Sequence, residues 1–314
     1  MTYATGAADH TRILAHAREW EGARMAIATV IQTWRSAPCP VGTHMLVHED
    51  GWFVGSVSGG CVEGDVLAAC AEVIAGAPFV VRRYGVADGT AWEVGLPCGG
   101  DIVVLVQPVS EIGFPAELLG QVGNASANGD TLLIGTNLET GFSAPAMSPD
   151  PDHFTNIYAP PRRLLIIGAV EIAAALTAIA TSMGIAVTLI DPRARFLTQD
   201  RFPDVARNDR WPDEAIAHLK PDCRTAIVTL SHDPKIDDPA LAAALATPAA
   251  YIGALGSRAS HAKRRERLSA LGYNDAELDR IEGPAGVTIN AISAPEIALS
   301  IAAGMIRAFN DGLR

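Results

Sequence analysis

The chain has 314 residues, 49% hydrophobic and 19% charged, which is long enough for two domains with separate cores and too apolar for disorder. Its formal net charge of −11 argues against a nucleic-acid or anionic membrane partner, both of which need a basic face. Five cysteines, an odd number with no C-x-x-C pair, argue against a disulfide framework or a zinc ribbon and suit reduced thiols in a cytoplasmic protein.

Residues 1–20 carry Asp9, Arg12, Arg18 and Glu19 with no long apolar stretch, so they do not read as a signal peptide. A helix is predicted over 12–20, then strands over 26–34, 44–48 and 52–57 with Gly and Pro between them. Ser58-Gly59-Gly60 opens a second helix, on which Val62, Val66, Cys70, Val73 and Ile74 form one apolar face. Further strands are expected over 79–83, 102–106 and 131–135. His44 and His48 are four apart, but on a strand that spacing separates them by ~13 Å, which rules out a chelating pair.

From 143 to 161 the composition shifts to Pro, Ser and Asp. The stretch 145–161 therefore reads as a linker between an amino-terminal α/β domain, 1–144, and a second domain, 162–314. The second half alternates strands (164–167, 186–190, 225–230, 250–252) with helices (172–183, 239–246, 259–271, 295–309). Such alternation means a Rossmann-like, doubly wound parallel sheet with helices on both faces. The nearly uncharged run 164–190 is long enough for a membrane span. Gly168, Glu171 and Gly184 punctuate it, however, and it reads as strand, helix, strand.

A dinucleotide loop has the form G-x-G-x-x-G/A between strand and helix. Here Gly168-Ala169-Val170-Glu171-Ile172-Ala173 keeps the first Gly and the last small residue, but Val170 replaces the middle Gly. Glu171 adds a carboxylate at the helix start, where a phosphate would sit. Both oppose NAD(P), while Asp191 lies 23 residues past Gly168, where an acid holds a ribose hydroxyl. His232-Asp233 follows the strand 225–230, at an edge where open α/β sheets bind ligands, although Asp233 also suits a helix cap. No G-x-S-x-G elbow or H-E-x-x-H pair occurs.

Cys61, in Ser58-Gly59-Gly60-Cys61-Val62-Glu63-Gly64, sits at a strand-to-helix turn where exposed N–H groups can favour a thiolate. Cys98, in Leu96-Pro97-Cys98-Gly99-Gly100, sits in a tight turn before a strand. Two such thiols could hold a soft metal or a sulfur-rich ligand. Cys70 and Cys223 read as small buried hydrophobes.

These motifs carry a resemblance. Thr33-Trp34-Arg35-Ser36-Ala37-Pro38, Pro40-Val41-Gly42 and the run from Gly55 to Gly64 resemble the XdhC/CoxI family of accessory factors for xanthine dehydrogenase and related molybdenum hydroxylases. The run from Ala91 to Gly100 is similar to the family's second motif. Asp191-Pro192-Arg193, Arg201-Phe202-Pro203-Asp204, Ser231-His232-Asp233, the run from Ile252 to Arg258, and Ala294-Pro295-Glu296-Ile297-Ala298 extend the likeness to the second half. The chain departs from the family at Val170 and Glu171, which stand where Gly and His are common, and at Cys39, where a basic residue is common.

The resemblance implies an accessory or maturation factor that binds molybdenum cofactor (molybdopterin), protects it and delivers it to an apo molybdenum hydroxylase, and leaves an enzyme activity of its own open. It further implies a homodimer and a cysteine desulfurase as a second partner. Cys61 and Cys98 would contact the metal or its sulfur, with Gly59, Gly60, Gly99 and Gly100 opening the backbone around them. Gly168, Asp191, His232, Gly256, Ser257 and Arg258 would take the cofactor's other end, Gly256-Ser257-Arg258 facing its phosphate or simply capping a helix. The basic run Lys263-Arg264-Arg265 with Arg267 fits either a solvated helix face or an anion-facing one. Two other readings stay open: an NAD(P)-dependent oxidoreductase, and a partner-binding scaffold without a cofactor.

Overall fold

The structure, a computed structural model, describes residues 10–35, 37, 39–85 and 100–311. The chain divides into two compact units, 1–160 and 161–314.

In the first unit, helix α1 (Thr11–Glu19) precedes β1 (Met25–Trp34), β2 (His44–His48), β3 (Phe53–Gly55), α2 (Glu63–Ile74), β4 (Val80–Tyr84) and β5 (Asp101–Pro108). Their strands form an antiparallel sheet in the order β3-β2-β1-β5-β4. Along β1 the side chains alternate between two cores, as the two-residue period of a strand demands. Ala26, Ala28 and Val30 pack with Val62, Val66, Cys70 and Val73 of the α2 region. Met25 and Ile27 pack on the other face with Ile13 of α1. The predicted apolar face of α2 therefore finds its partner, although the helix begins at Glu63, after the glycines.

Helix α3 (Ala116–Asn128) follows, then β6 (Leu132–Asn137), β7 (Ser143–Ala146) and β8 (His153–Tyr158). The three strands form a second sheet, ordered β7-β6-β8. This corrects the expected linker over 145–161, since much of that stretch is sheet. Pro145 sits on an edge strand, where a missing N–H costs no ladder bond. In β8 the alternate residues Phe154, Asn156 and Tyr158 point inward. Pro149 and Pro151 fall between β7 and β8, whereas Pro145 lies inside β7 and concealed that strand.

The second unit runs β9 (Arg163–Ile167), α4 (Glu171–Ser182), β10 (Ala186–Ile190), a short 3-10 turn, β11 (Ala206–Asn208), α5 (Pro212–Leu219), β12 (Thr225–Thr229), α6 (Pro234–Leu245), β13 (Tyr251–Ala254), α7 (Arg258–Ala270), α8 (Asp275–Leu278), β14 (Ile281–Glu282) and α9 (Ala294–Asp311). All pairings in the sheet are parallel, and the order β11-β10-β9-β12-β13-β14 reverses direction between β9 and β12. That is the doubly wound dinucleotide-binding order, with its ligand crevice at the carboxyl ends of β9 and β12. Helices α4 and α9 cover one face, and α5, α6 and α7 the other. The 164–190 run is strand, helix, strand as expected. Helix α6 starts five residues earlier than expected, because Pro234 takes the first position and Pro239 is carried inside the helix. No helix among the described residues is long and apolar enough to cross a membrane.

One polar cluster joins the two sheets of the first unit. His44 of β2 is buried, with Nδ1 2.9 Å from Thr29 Oγ1 and Nε2 2.8 Å from Tyr158 Oη. Asn156 Nδ2 lies 3.1 Å from the same Nε2, and the His10 ring packs 5.0 Å away. Burial, aided by the neighbouring His10, holds the His44 pKa well below its usual 6.5. The unfolded chain therefore binds the extra proton first, and stability present above about pH 6.5 is lost as pH falls below it. Urea unfolding between pH 7 and pH 5 should show a slope from this site of up to about 1.4 kcal/mol per pH unit. His44→Gln should remove that component of the slope.

Candidate functional site

The Cys61 loop is built around one carboxylate. Between β3 and α2 the chain turns through Gly59 and Gly60, at φ +73° and +115°, a region that side chains with a Cβ avoid. Such a turn leaves amide donors without helical partners. Glu63 supplies the acceptors. Its Oε1 takes the Ser56 hydroxyl and the N–H groups of Val57 (3.2 Å) and Ser58 (2.9 Å). Its Oε2 takes the Ser58 hydroxyl (2.5 Å) and the N–H groups of Gly60 (2.8 Å) and Val62 (3.2 Å). Ser58 Oγ accepts in turn from Cys61 N–H at 3.0 Å. Partial burial alone would raise the Glu63 pKa, but the hydrogen bonds from Ser56 and Ser58 outweigh it and hold the group at about 2.

The Cys61 thiol stands exposed on this pinned turn, between exposed Gly59 and Gly60 and the buried Val62. The amides expected to face the thiol are spent inside the loop, on Glu63 and Ser58. Cys39 Sγ donates to Ser56 C=O at 3.7 Å in the same loop. Burial, with the Glu63 charge adding to it, pushes the Cys39 thiol up. In the sequence Cys39 stood out only as a departure from a family pattern. Cys98 and Gly99 lie outside the described residues, and Gly100 is buried just ahead of β5. Cys70 is buried as expected, its pKa pushed up to about 12 by burial, whereas Cys223, expected in a core, is exposed. It precedes β12 in a turn that starts at Asp222, so its apolar neighbours in sequence do not enclose it. Among the described residues no group of three or more His, Cys, Asp or Glu side chains could hold a metal ion.

In the second unit, Gly168 lies at the reversal point with φ +100°. A Cβ there would come within 2.8 Å of Ser231 N, so strand-to-strand packing demands glycine whether or not a ligand binds. Val170 is extended at the cap of α4, and Glu171 exposes its carboxylate on the first turn. Asp191 is completely buried and its oxygens are taken. Oδ2 accepts Ala169 N–H (2.9 Å) and Arg193 Nη2–H (2.8 Å), and Oδ1 accepts Arg193 N–H and Nε–H (both 2.9 Å). Burial works against ionisation, but the bonds from Arg193 and Ala169 win and lower the pKa. The acid expected to be open to a ribose is closed by its own chain.

Asp233 caps α6 by accepting Lys235 N–H at 3.0 Å, and Ser257 caps α7 by accepting Ser260 N–H at 3.1 Å. Both are the capping alternatives the sequence left open. Arg258 begins α7 exposed, and His232 takes a left-handed backbone, φ +61°. His232 lines a cleft of about 200 Å³ with the basic face of α7. That basic run does not act as one solvated face. Arg265 pairs with Asp275 and Asp279, Arg267 pairs with Asp238, Lys263 is exposed, and Arg264 is 5% accessible.

Fold and sites together define a two-unit α/β protein: a glycine-cysteine turn on an antiparallel sheet, and a Rossmann unit whose dinucleotide loop is occupied by its own side chains. Residues 164–305 match the XdhC Rossmann domain, and residues 20–85 match the XdhC and CoxI family. A molybdenum cofactor insertion chaperone, PaoD, from Escherichia coli is 30% identical over 94% of this chain and 87% of its own length. A probable xanthine dehydrogenase subunit from Bacillus subtilis is 24% identical, covering 95% of this chain and 96% of its own. A crystal structure described as a xanthine dehydrogenase, from Bacillus halodurans, superposes with a TM-score of 0.81 at 25% identity, covering 95% of both chains. The chain belongs to the XdhC and CoxI family.

Two outcomes follow from the turn geometry. Brief alkylation of the native protein, read by peptide mass spectrometry, should label exposed Cys61 and Cys223 and leave buried Cys70 unmodified until unfolding. Glu63→Gln loses charge-assisted acceptors worth about 1.5–3 kcal/mol each when solvent does not replace them. Amide hydrogen exchange over 57–62 should accelerate at least tenfold in that variant, while the amides of β1 stay protected.

Proposed function

We propose that this protein binds molybdenum cofactor as cargo, shields it and delivers it to an apo molybdenum hydroxylase of the xanthine dehydrogenase type. The observation carrying this reading is the exposed Cys61 thiol on a turn held rigid by Glu63. A soft sulfur donor on a fixed backbone suits molybdenum or its sulfido ligand, because thiolates favour soft centres. The likeness to a molybdenum cofactor insertion chaperone supports delivery to a client as the direction of transfer. In this reading Gly59 and Gly60 leave room beside the thiol, and Cys98 with its flanking glycines is a second sulfur donor. In the second unit His232, Gly256, Ser257 and Arg258 are the residues that meet cofactor or client, and buried Gly168 and Asp191 shape the loop beneath. Asp191 acts there by fixing the loop. The client is transient, so a modest polar interface is expected. A homodimer, a cytoplasmic location and a cysteine desulfurase as sulfur source complete the proposal.

An NAD(P)-dependent oxidoreductase needs a carboxylate open to the ribose and a helix end open to pyrophosphate. Asp191 is saturated and Glu171 occupies the helix end, so NADH binding is not expected. Titration of the purified protein should show molybdenum cofactor binding and no NADH binding. Cys61→Ala, an exposed change that leaves the core intact, should weaken cofactor binding about tenfold or more, equivalent to ~1.4 kcal/mol, and slow activation of the apo-hydroxylase. Unchanged client activation in Cys61→Ala would instead favour a scaffold that carries no cofactor. Binding of NADH alone would overturn the proposal.

A further inference from the structure

We propose that the cleft between the loop after β12 and helix α7 is a binding site for a phosphate monoester. The cleft, about 200 Å³, is faced by His232, Asp237, Ser260, Lys263, Arg264 and Arg267. At ~30 Å³ per water that is room for roughly six waters, enough for a phosphate and the first atoms of its ester. Its position is at the carboxyl end of the parallel sheet, one strand over from the reversal point where a dinucleotide would lie.

Arg264 supplies the reason for a ligand. The side chain is 95% buried, yet only Nη2 has an acceptor, Leu255 C=O at 2.9 Å. Among the described residues Nε and Nη1 have no hydrogen-bond partner. A buried guanidinium with two unpaired nitrogens is costly, and it is retained where an anion completes it. The surroundings add to the attraction. Lys263 is exposed and forms no ion pair among the described residues, so its ammonium is available to an incoming anion. The amino-terminal ends of α6 and α7 both lie at the cleft, placing two positive dipole ends there. Ser260 Oγ, now 3.0 Å from Ser257 Oγ, is a further donor.

Two carboxylates oppose an anion, and neither removes the case. Asp238 is committed to Arg267, at 2.9 Å to Nη2. Asp237 accepts the Ser231 hydroxyl at 2.6 Å and makes no hydrogen bond to Arg264. Both side chains line the cleft, and the Asp237 carboxylate is tied to Ser231 while Arg264 Nε and Nη1 lack a partner among the described residues. A tetrahedral dianion with several acceptor oxygens can serve Arg264, Lys263 and Ser260 together, which a single water cannot.

The site stands on the second unit's geometry alone. Only the identity of the whole ligand rests on the cargo reading: free phosphate and the phosphate of a pterin cofactor share this chemistry. Isothermal titration of the full chain with inorganic phosphate should show saturable binding to the wild-type protein. Arg264→Gln should weaken it at least tenfold, and Lys263→Gln, an exposed change that spares the core, several-fold. Arg265→Gln, outside the cleft, should leave it unchanged. Absence of phosphate binding, or equal binding by the wild type and Lys263→Gln, would overturn the proposal. A second arm titrates molybdenum cofactor. Weakened cofactor binding in Lys263→Gln, with Cys61 intact, would assign the cleft to the cofactor's phosphate. Phosphate binding by the cleft without any cofactor binding would support this site and remove the cargo reading. The two failures are therefore separable.

Discussion

The arrangement of both candidate regions depends on one constraint: amides at a tight turn need an acceptor, and here side-chain carboxylates provide it. Glu63 is the clearer case, because six hydroxyl and amide donors from Ser56, Val57, Ser58, Gly60 and Val62 converge on its two oxygens. A glycine pair would normally make a turn entropically soft. Glu63 removes that softness without filling the space the glycines leave open. Cys61 is thereby displayed on backbone that is both open and fixed, the combination a site needs in order to be preorganised.

Asp191 works by the same physics with the opposite result. Its four hydrogen bonds to Ala169 and Arg193 draw the α4 loop and the segment after β10 together, and Arg193 also stacks over Phe196 at 4.2 Å. In a dinucleotide site, an acid at this position spends its oxygens on a ligand. Here an arginine two residues away takes the ribose's place. Gly168 survives for a packing reason, contact with Ser231, so its presence carries no information about a pyrophosphate. The Rossmann order is retained as architecture, and the crevice at its reversal point is closed from within.

Much of this was legible in the sequence. The strand β1, the apolar face of α2 and the strand-helix alternation after residue 164 all reflect burial, and burial is what sequence pattern encodes. What escaped has identifiable causes. Helix α3 contains two glycines, two asparagines and a serine, poor formers that are helical because Leu118, Leu119 and Val122 pack inward. Strands β7 and β8 sit among prolines. Glu63 belonged to a motif already singled out but had no assigned role, although an acid closing a Ser-Gly-rich turn is the expected acceptor for its amides. Arg264 was the least readable. A basic run on a helix looks solvated, and only the tertiary fold shows that its second member points into the protein while its neighbours face outward.

That split has a consequence for selectivity. A chain with a net charge of −11 repels polyanions at long range, which suppresses non-specific association with nucleic acid. Such repulsion is screened beyond a Debye length of about 8 Å at physiological salt. A small anion close to α7 therefore responds to the local groups, an ammonium, a buried guanidinium and two helix ends, more than to the net charge. Burial matters most for Arg264, since a charge shielded from water interacts with an incoming dianion at a lower effective dielectric than any surface lysine can. An acidic surface and a cationic cleft thus serve one end: they admit a small phosphate ester and turn away the polymers built from it.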